Sequence, residues 1–265
     1  MVRRAAGEGR GQLLSCGTMK SKSLPPAVPA PLLYAVGDVH GCYVLLEALW
    51  RKIEFDAGKR LTAGAKATVV FLGDLIDRGP DSDRVLRWCA ALAKDPPAWC
   101  VPVFLVGNHE LFLLQFLMTE DREILATWRR NGGKATLRSL GVGSGKPESV
   151  AERLRSALKP DLLPFFSKLK YFHAEPGYLF VHAGLRPGVA LEEQKPEDLC
   201  WIREEFLLST VDHGARIIHG HTPAGSVEIL KNRINVDTCA YGFGVLSAVR
   251  LQGDKVGVLQ AKAAD

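Results

Sequence analysis

One pattern constrains this 265-residue chain more than any other. Five times, an apolar run of strand length stops abruptly at a small residue joined to an acid, an amide or an imidazole. Leu32-Leu33-Tyr34-Ala35-Val36 ends in Gly37-Asp38, and Thr68-Val69-Val70-Phe71-Leu72 ends in Gly73-Asp74. Residues 101–106 end in Gly107-Asn108, residues 178–181 in His182-Ala183-Gly184, and residues 216–218 in His219-Gly220-His221. Continuous apolar runs suit strands covered on both faces. Helical spacing over 43–53 and 81–92 separates the first three runs. Strand–loop–helix alternation predicts an α/β fold, in which ligands gather at the carboxyl ends of strands. Asp38, Asp74, Asn108, His182 and His221 occupy those ends.

The remaining chain is less regular. Residues 109–118, 122–130 and 150–158 read as helices, and 119–170 as a helical cap insertion over the strand ends. Beyond Val227, alternating runs at 234–236, 245–251 and 255–259 predict antiparallel strands finishing a second sheet. One domain over 32–265 and a disordered basic tail over 1–31 account for the chain.

Charge matters here through its location. The net charge is +5, and residues 1–31 hold +4 of it. That segment is rich in Gly, Ala, Ser and Pro and has no periodicity, as disordered segments do. The near-neutral body predicts neither a nucleic-acid nor a membrane partner. Composition, with 47% hydrophobic and 24% charged residues, is that of a globular chain and excludes collagen and coiled coil. No apolar run approaches the roughly 18 residues of a bilayer span, and Leu13-Leu14 falls short of a secretory h-region. The cysteines at Cys16, Cys42, Cys89, Cys100, Cys200 and Cys239 form no C-x-x-C pair. Without an export signal they read as reduced thiols of a cytoplasmic protein.

Five of the seven histidines, His40, His109, His182, His219 and His221, lie at the strand ends, among Asp38, Asp74 and Asn108. Oxygen and imidazole ligands without thiolate suit Mn, Fe or Zn in a catalytic site. Other motifs fail on inspection. Gly141-Val142-Gly143-Ser144-Gly145-Lys146-Pro147 has Leu140 and Pro147 where a phosphate loop needs Gly and Ser or Thr. His109-Glu110 meets Leu113 where a zinc H-E-x-x-H needs His. No cysteine has the Arg six residues on that a thiol phosphatase requires.

Gly37-Asp38-Val39-His40-Gly41 matches G-D-x-H-G, and Gly73-Asp74-Leu75-Ile76-Asp77-Arg78-Gly79 matches G-D-x-x-D-R-G. Gly107-Asn108-His109-Glu110, His182-Ala183-Gly184 and Gly220-His221-Thr222-Pro223 complete the series in order. Over roughly residues 32–250 the chain resembles the calcineurin-like metallophosphoesterases. Within them it resembles the bacterial serine/threonine protein phosphatase group that includes the phage lambda enzyme. The resemblance implies a four-layer α-β-β-α sandwich and two divalent metal ions, Mn(II) first, with Fe or Zn also accepted. It implies that Asp38 and His40 bind one ion, that Asp74 bridges, and that Asn108, His182 and His221 bind the other. A metal-bridging hydroxide would attack a phosphomonoester in line. His109 would protonate the leaving oxygen, Asp77 would orient His109, and Arg78 and Arg203, the latter in Trp201-Ile202-Arg203, would grip phosphate.

The implied substrate is a phosphorylated protein or small phosphoester. The alternative is a symmetrical dinucleoside-tetraphosphate hydrolase, whose motifs look more like A-R-G and N-H-D, although Gly41-Cys42-Tyr43 resembles that group. A third reading, a non-catalytic phosphate-binding scaffold, is opposed by the complete ligand set. Glu110 is expected to serve the helix start, His173 and His213 to be structural, and His219 to lie behind His221. Cys239 stands where the family's D-T-G-A segment carries Gly, a change expected to restrict a turn near the site. Trp128, Arg129, Arg130 and Asn131-Gly132-Gly133 are candidates for substrate selection or for a helix end.

Overall fold

A computed structural model describes residues 30–263. The expected tail therefore lies outside the described residues up to residue 29, as does Cys16. The first half alternates as the sequence predicts: β1 (Leu32–Val36), α1 (Tyr43–Gly58), β2 (Ala67–Phe71), α2 (Ser82–Lys94), β3 (Cys100–Phe104) and α3 (Asn108–Thr119). Helices α4 (Arg122–Trp128), α5 (Lys134–Ser139), α6 (Pro147–Leu158) and α7 (Leu162–Phe166) follow, with a π turn at Arg129–Gly133. The second half holds β4 (Phe172–Glu175), β5 (Tyr178–Val181), α8 (Pro196–Trp201), α9 (Glu204–Leu207) and β6 (Arg216–His219). It closes with β7 (Glu228–Ile229), β8 (Arg233–Asn235), α10 (Ala240–Phe243), β9 (Val245–Gln252) and β10 (Lys255–Lys262).

Two five-stranded sheets result, in the orders β10-β9-β1-β2-β3 and β4-β5-β6-β8-β7. Period-two alternation along each apolar run builds the layers. In β1, Leu32, Tyr34 and Val36 face the helices, while Leu33 and Ala35 face the opposite sheet. In β5, Tyr178 and Phe180 face inward, and Leu179 and Val181 face α8 and α9. The helices bury one stripe each: Leu45, Leu46, Leu49 and Ile53 in α1, and Val150, Ala151, Leu154 and Leu158 in α6, at the i, i+3, i+4 spacing of an amphipathic helix. The order is thus helices, sheet, sheet, helices, as the four-layer expectation required.

One expectation is corrected. Residues 245–262 form antiparallel strands, but β9 pairs with β1 and so extends the first sheet. Residues 233–235 do join the second sheet, parallel to β6. Alternation specifies a strand; it does not specify which edge the strand finds. Residues 122–166 pack on α2 and α3 in the outer helical layer through Leu125, Trp128, Leu137, Leu154 and Phe165. No helix among the described residues is long and apolar enough to cross a membrane.

Candidate active site

The parallel strands β1, β2 and β3 and β5, β6 and β8 bring their carboxyl ends to one place. Asp38, His40, Asp74, Asp77, Asn108, His109, His182 and His221 are all buried there. The backbone is bent to present them. Left-handed φ values occur at His40 (46), Asp74 (50), Asp77 (73), Arg78 (67), His221 (66) and Cys239 (55). A non-glycine residue in this region costs of order 1–3 kcal/mol and persists where the surroundings enforce it. Two glycines permit the carboxylates to approach. A Cβ on Gly220 would sit 2.0 Å from Asp38 Oδ1, and one on Gly107 would sit 2.2 Å from Asp74 Oδ1.

The donor set fits divalent cations. His40 Nδ1 donates to the Ile76 carbonyl at 2.9 Å, and His182 Nδ1 donates to the Leu72 carbonyl at 2.8 Å. Burial holds both rings neutral, His40 lowered to about 3 and His182 below its ordinary value. Each Nε2 then carries a lone pair. His40 Nε2 faces Asp74 Oδ2 at 3.5 Å, and His182 Nε2 faces Asp74 Oδ1 at 3.5 Å. Lone pairs opposed to carboxylate oxygens repel unless a cation lies between them, and Asp74 offers one oxygen to each side. Asn108 Oδ1 lies 3.1 Å from His182 Nε2 and 2.9 Å from His221 Nδ1, adding an amide oxygen. Two groups of ligand atoms lie within 4.8 Å of one another: His40, Asp74 and His109, and Asp74, His182 and His221.

A third carboxylate joins Asp38 and Asp74. Burial, then Asp237 and Asp74, push Asp38 well above the usual carboxylate range. Asp237 itself is pushed up to about 6, by burial first and then by Asp74. Crowded acids of this kind are relieved by positive charge. Asp38 accepts from the His221 backbone N–H at 3.1 Å, tying the loops of the two sheets together. The sequence pattern flags the 237–240 segment without showing that Asp237 reaches the centre.

Beside the metal-type ligands, His109 Nδ1 donates to Asp77 Oδ2 at 2.7 Å. Burial opposes charge on this ring, but Asp74 and the Asp77 hydrogen bond outweigh it and raise His109 above its ordinary 6.5. Asp77 is fixed in turn by Trp128 Nε1 at 2.8 Å and by the Thr136 hydroxyl, and its own N–H donates to Thr136 Oγ1 at 2.9 Å. Trp128, a candidate for substrate selection, is fully buried and supports Asp77 instead. Arg78 Nη2 lies 3.1 Å from His109 Nε2. Arg203 is exposed, its Nη1 donating to Thr222 Oγ1 at 3.3 Å, and an open groove lined by Arg186, Glu197, Asp198 and Trp201 adjoins it.

Glu110 does more than begin a helix. Its carboxylate accepts from the backbone N–H groups of Asp74, Leu75 and Gly107, each at 2.9 Å. It thereby holds the β2 loop against the start of α3. The remaining histidines lie elsewhere. His219 is buried against Phe206 and Arg233, and His173 lies 3.0 Å from Glu175.

Fold and site together define a metallophosphoesterase, a class that works through two metal ions. A family profile described as calcineurin-like phosphoesterase matches residues 32–250, and the chain belongs to that family. It is 29% identical over 228 residues to Serine/threonine-protein phosphatase 1 of Salmonella typhimurium, covering 83% of this chain and 92% of that protein. It is also 29% identical over 170 residues to the symmetrical bis(5'-nucleosyl)-tetraphosphatase of Delftia acidovorans, covering 52% of this chain and 56% of that protein. The chain thus spans about half the length of that tetraphosphatase. A crystal structure provisionally named a diadenosine tetraphosphatase aligns with TM-score 0.61 and 21% identity, covering 91% of this chain and 97% of the other.

Proposed function

We propose that the chain is a dinuclear-metal phosphomonoester hydrolase acting on phosphoserine and phosphothreonine proteins. The observation that carries this reading is the Asp77–His109 pair at 2.7 Å, with Arg78 beside it, set over Asp74. Asp38, His40 and Asp74 would hold one ion, and Asp74, Asn108, His182 and His221 the other. Bound there, two divalent ions, Mn(II) first and Fe or Zn by the same ligand chemistry, would supply Lewis acidity and an activated water. Arg78 and Arg203 bind the phosphoryl oxygens, Arg78 through the planar fork of its guanidinium. His109 donates the Nε2 proton to the leaving oxygen. Asp77 holds the other ring nitrogen and favours the charged ring, which has no lone pair to ligate. His109 therefore acts as the acid even though it lies within reach of His40 and Asp74.

A second reading, hydrolysis of a symmetrical dinucleoside tetraphosphate, is supported by the likeness to the Delftia acidovorans protein. The intact Asp-Arg-Gly and Asn-His-Glu segments support the protein phosphatase. The partner proposed is a phosphorylated protein or small phosphoester. The compartment proposed is the cytoplasm, which keeps thiols reduced; Cys42, Cys89, Cys100, Cys200 and Cys239 are free thiols. A panel of phosphopeptide, aryl phosphate and diadenosine tetraphosphate with Mn(II) tests the assignment. The phosphopeptide is expected to have the highest kcat/KM; a clear preference for the dinucleotide overturns the first reading in favour of the second.

A further inference from the structure

After β8 the chain returns to the site once more. Cys239 at φ +55 and Gly244 at φ +66 bracket the single turn of α10. That turn sets Tyr241 at the site's edge, 41% exposed. Its ring stands edge-on to His40 at 5.1 Å. Arg78 Nη1 donates to its hydroxyl at 2.7 Å, and the guanidinium carbon lies 4.6 Å from its ring centre. The other end of the same guanidinium, Nη2, meets His109 Nε2 at 3.1 Å. Arg78 is therefore held by the phenol at one terminal nitrogen, while its other terminal nitrogen lies beside the His109 ring.

A long side chain that grips an anion loses rotamer freedom, and prior restraint reduces that loss on binding. We propose that Tyr241 is a positioning residue that fixes Arg78 for phosphate, an inference that rests on the reading of Arg78 as a phosphate ligand. The hydrogen bond and the cation–π contact act on one guanidinium and restrict its rotation in different directions. The guanidinium is planar by its own delocalisation, so holding Nη1 on the phenol fixes the plane of the fork that would meet a phosphoryl oxygen. Tyr241 is partly exposed, and Tyr241→Phe, which keeps the ring and its packing, is expected to leave the fold intact.

The test is a double-mutant cycle on the full Mn(II)-loaded chain, with inorganic phosphate as the calorimetric probe and an aryl phosphate for kinetics. Tyr241→Phe is expected to weaken phosphate binding about three- to tenfold, the size of one hydrogen bond. KM should rise by a similar factor with kcat within about twofold, as loss of uniform binding requires. In an Arg78→Ala background the same change should have no further effect. Unchanged phosphate affinity in Tyr241→Phe, or an equal loss with and without Arg78, overturns the proposal. Phosphate binding that shows this coupling in a protein hydrolysing no ester would sink the hydrolase reading and leave the clamp standing. A wild-type protein that binds no phosphate would overturn both.

Discussion

His109 Nδ1 and Asp77 Oδ2 are joined by a buried hydrogen bond of 2.7 Å, and Asp77 is itself held by Trp128 and Thr136. An imidazole fixed in this way has one tautomer and one direction in which to release its other proton. Replacing His109 by Asn should leave metal content unchanged and lower kcat about 10²–10⁴-fold. Turnover near wild type in a metal-replete variant would remove His109 as the acid.

The same pair predicts a pH shift. A general acid works while protonated, so activity is present below the His109 pKa and lost as pH rises through it. Burial lowers that pKa, and Asp74 and Asp77 raise it to a value above 6.5. Asp77→Asn removes one raising influence. The alkaline limb of the kcat profile should therefore move to lower pH, which a pH–rate profile on an aryl phosphate reads directly.

Glu110 predicts a structural defect that appears as a metal defect. Both oxygens accept backbone N–H groups from the loops that present Asp74 and Asn108. In Glu110→Gln one acceptor becomes an NH₂ facing N–H donors. Stability should fall by about 1–3 kcal/mol in urea unfolding, and Mn(II) affinity should fall with it.

The glycines beside the carboxylates make a sharper prediction. Gly220→Ala places a methyl 2.0 Å from the Asp38 position, and Gly107→Ala places one 2.2 Å from Asp74 Oδ1. Gly220→Ala should lose metal affinity more than tenfold, the scale of a displaced ligand shell, while circular dichroism shows the fold retained. Gly107→Ala, whose methyl also meets the Asp74 backbone nitrogen at 2.4 Å, should lose metal affinity and stability together.

Away from the site, Asp56 predicts how the fold responds to acid. It accepts from the Tyr34 hydroxyl at 2.7 Å, from Arg60 Nε at 3.0 Å and from Arg250 Nη1 at 3.0 Å. Burial raises its pKa, and these partners together bring it below the ordinary 3.8. A depressed carboxylate stabilises above its unfolded pKa, and the contribution is lost as pH falls through the folded one. Asp56→Asn should therefore cost about 1–2 kcal/mol at pH 7, a difference that shrinks below about pH 4 in denaturant titrations at several pH values.

The layers and most of the site were legible because they depend on local pattern. Asp38, Asp74, Asn108, His182 and His221 each follow an apolar run, and a strand's carboxyl end is a place the chain itself marks. Trp128, Thr136 and Tyr241 carry no such mark. They matter because folding sets them against Asp77 and Arg78 from helices far along the chain. The edge chosen by β9 was hidden for the same reason, since alternation is satisfied equally well in either sheet. Asp237 lay in a flagged segment, but its place beside Asp38 depends on β8 pairing with β6.

The central claim is that Asp74 is shared by two cations, one facing His40 and one facing His182. Calorimetric titration of Mn(II) into metal-free wild-type protein and Asp74→Asn tests it. The expected result is two tightly bound ions per chain in the wild type and loss of tight binding at both positions in the variant. Two tightly held ions in Asp74→Asn, or a single ion in the wild type, would contradict it.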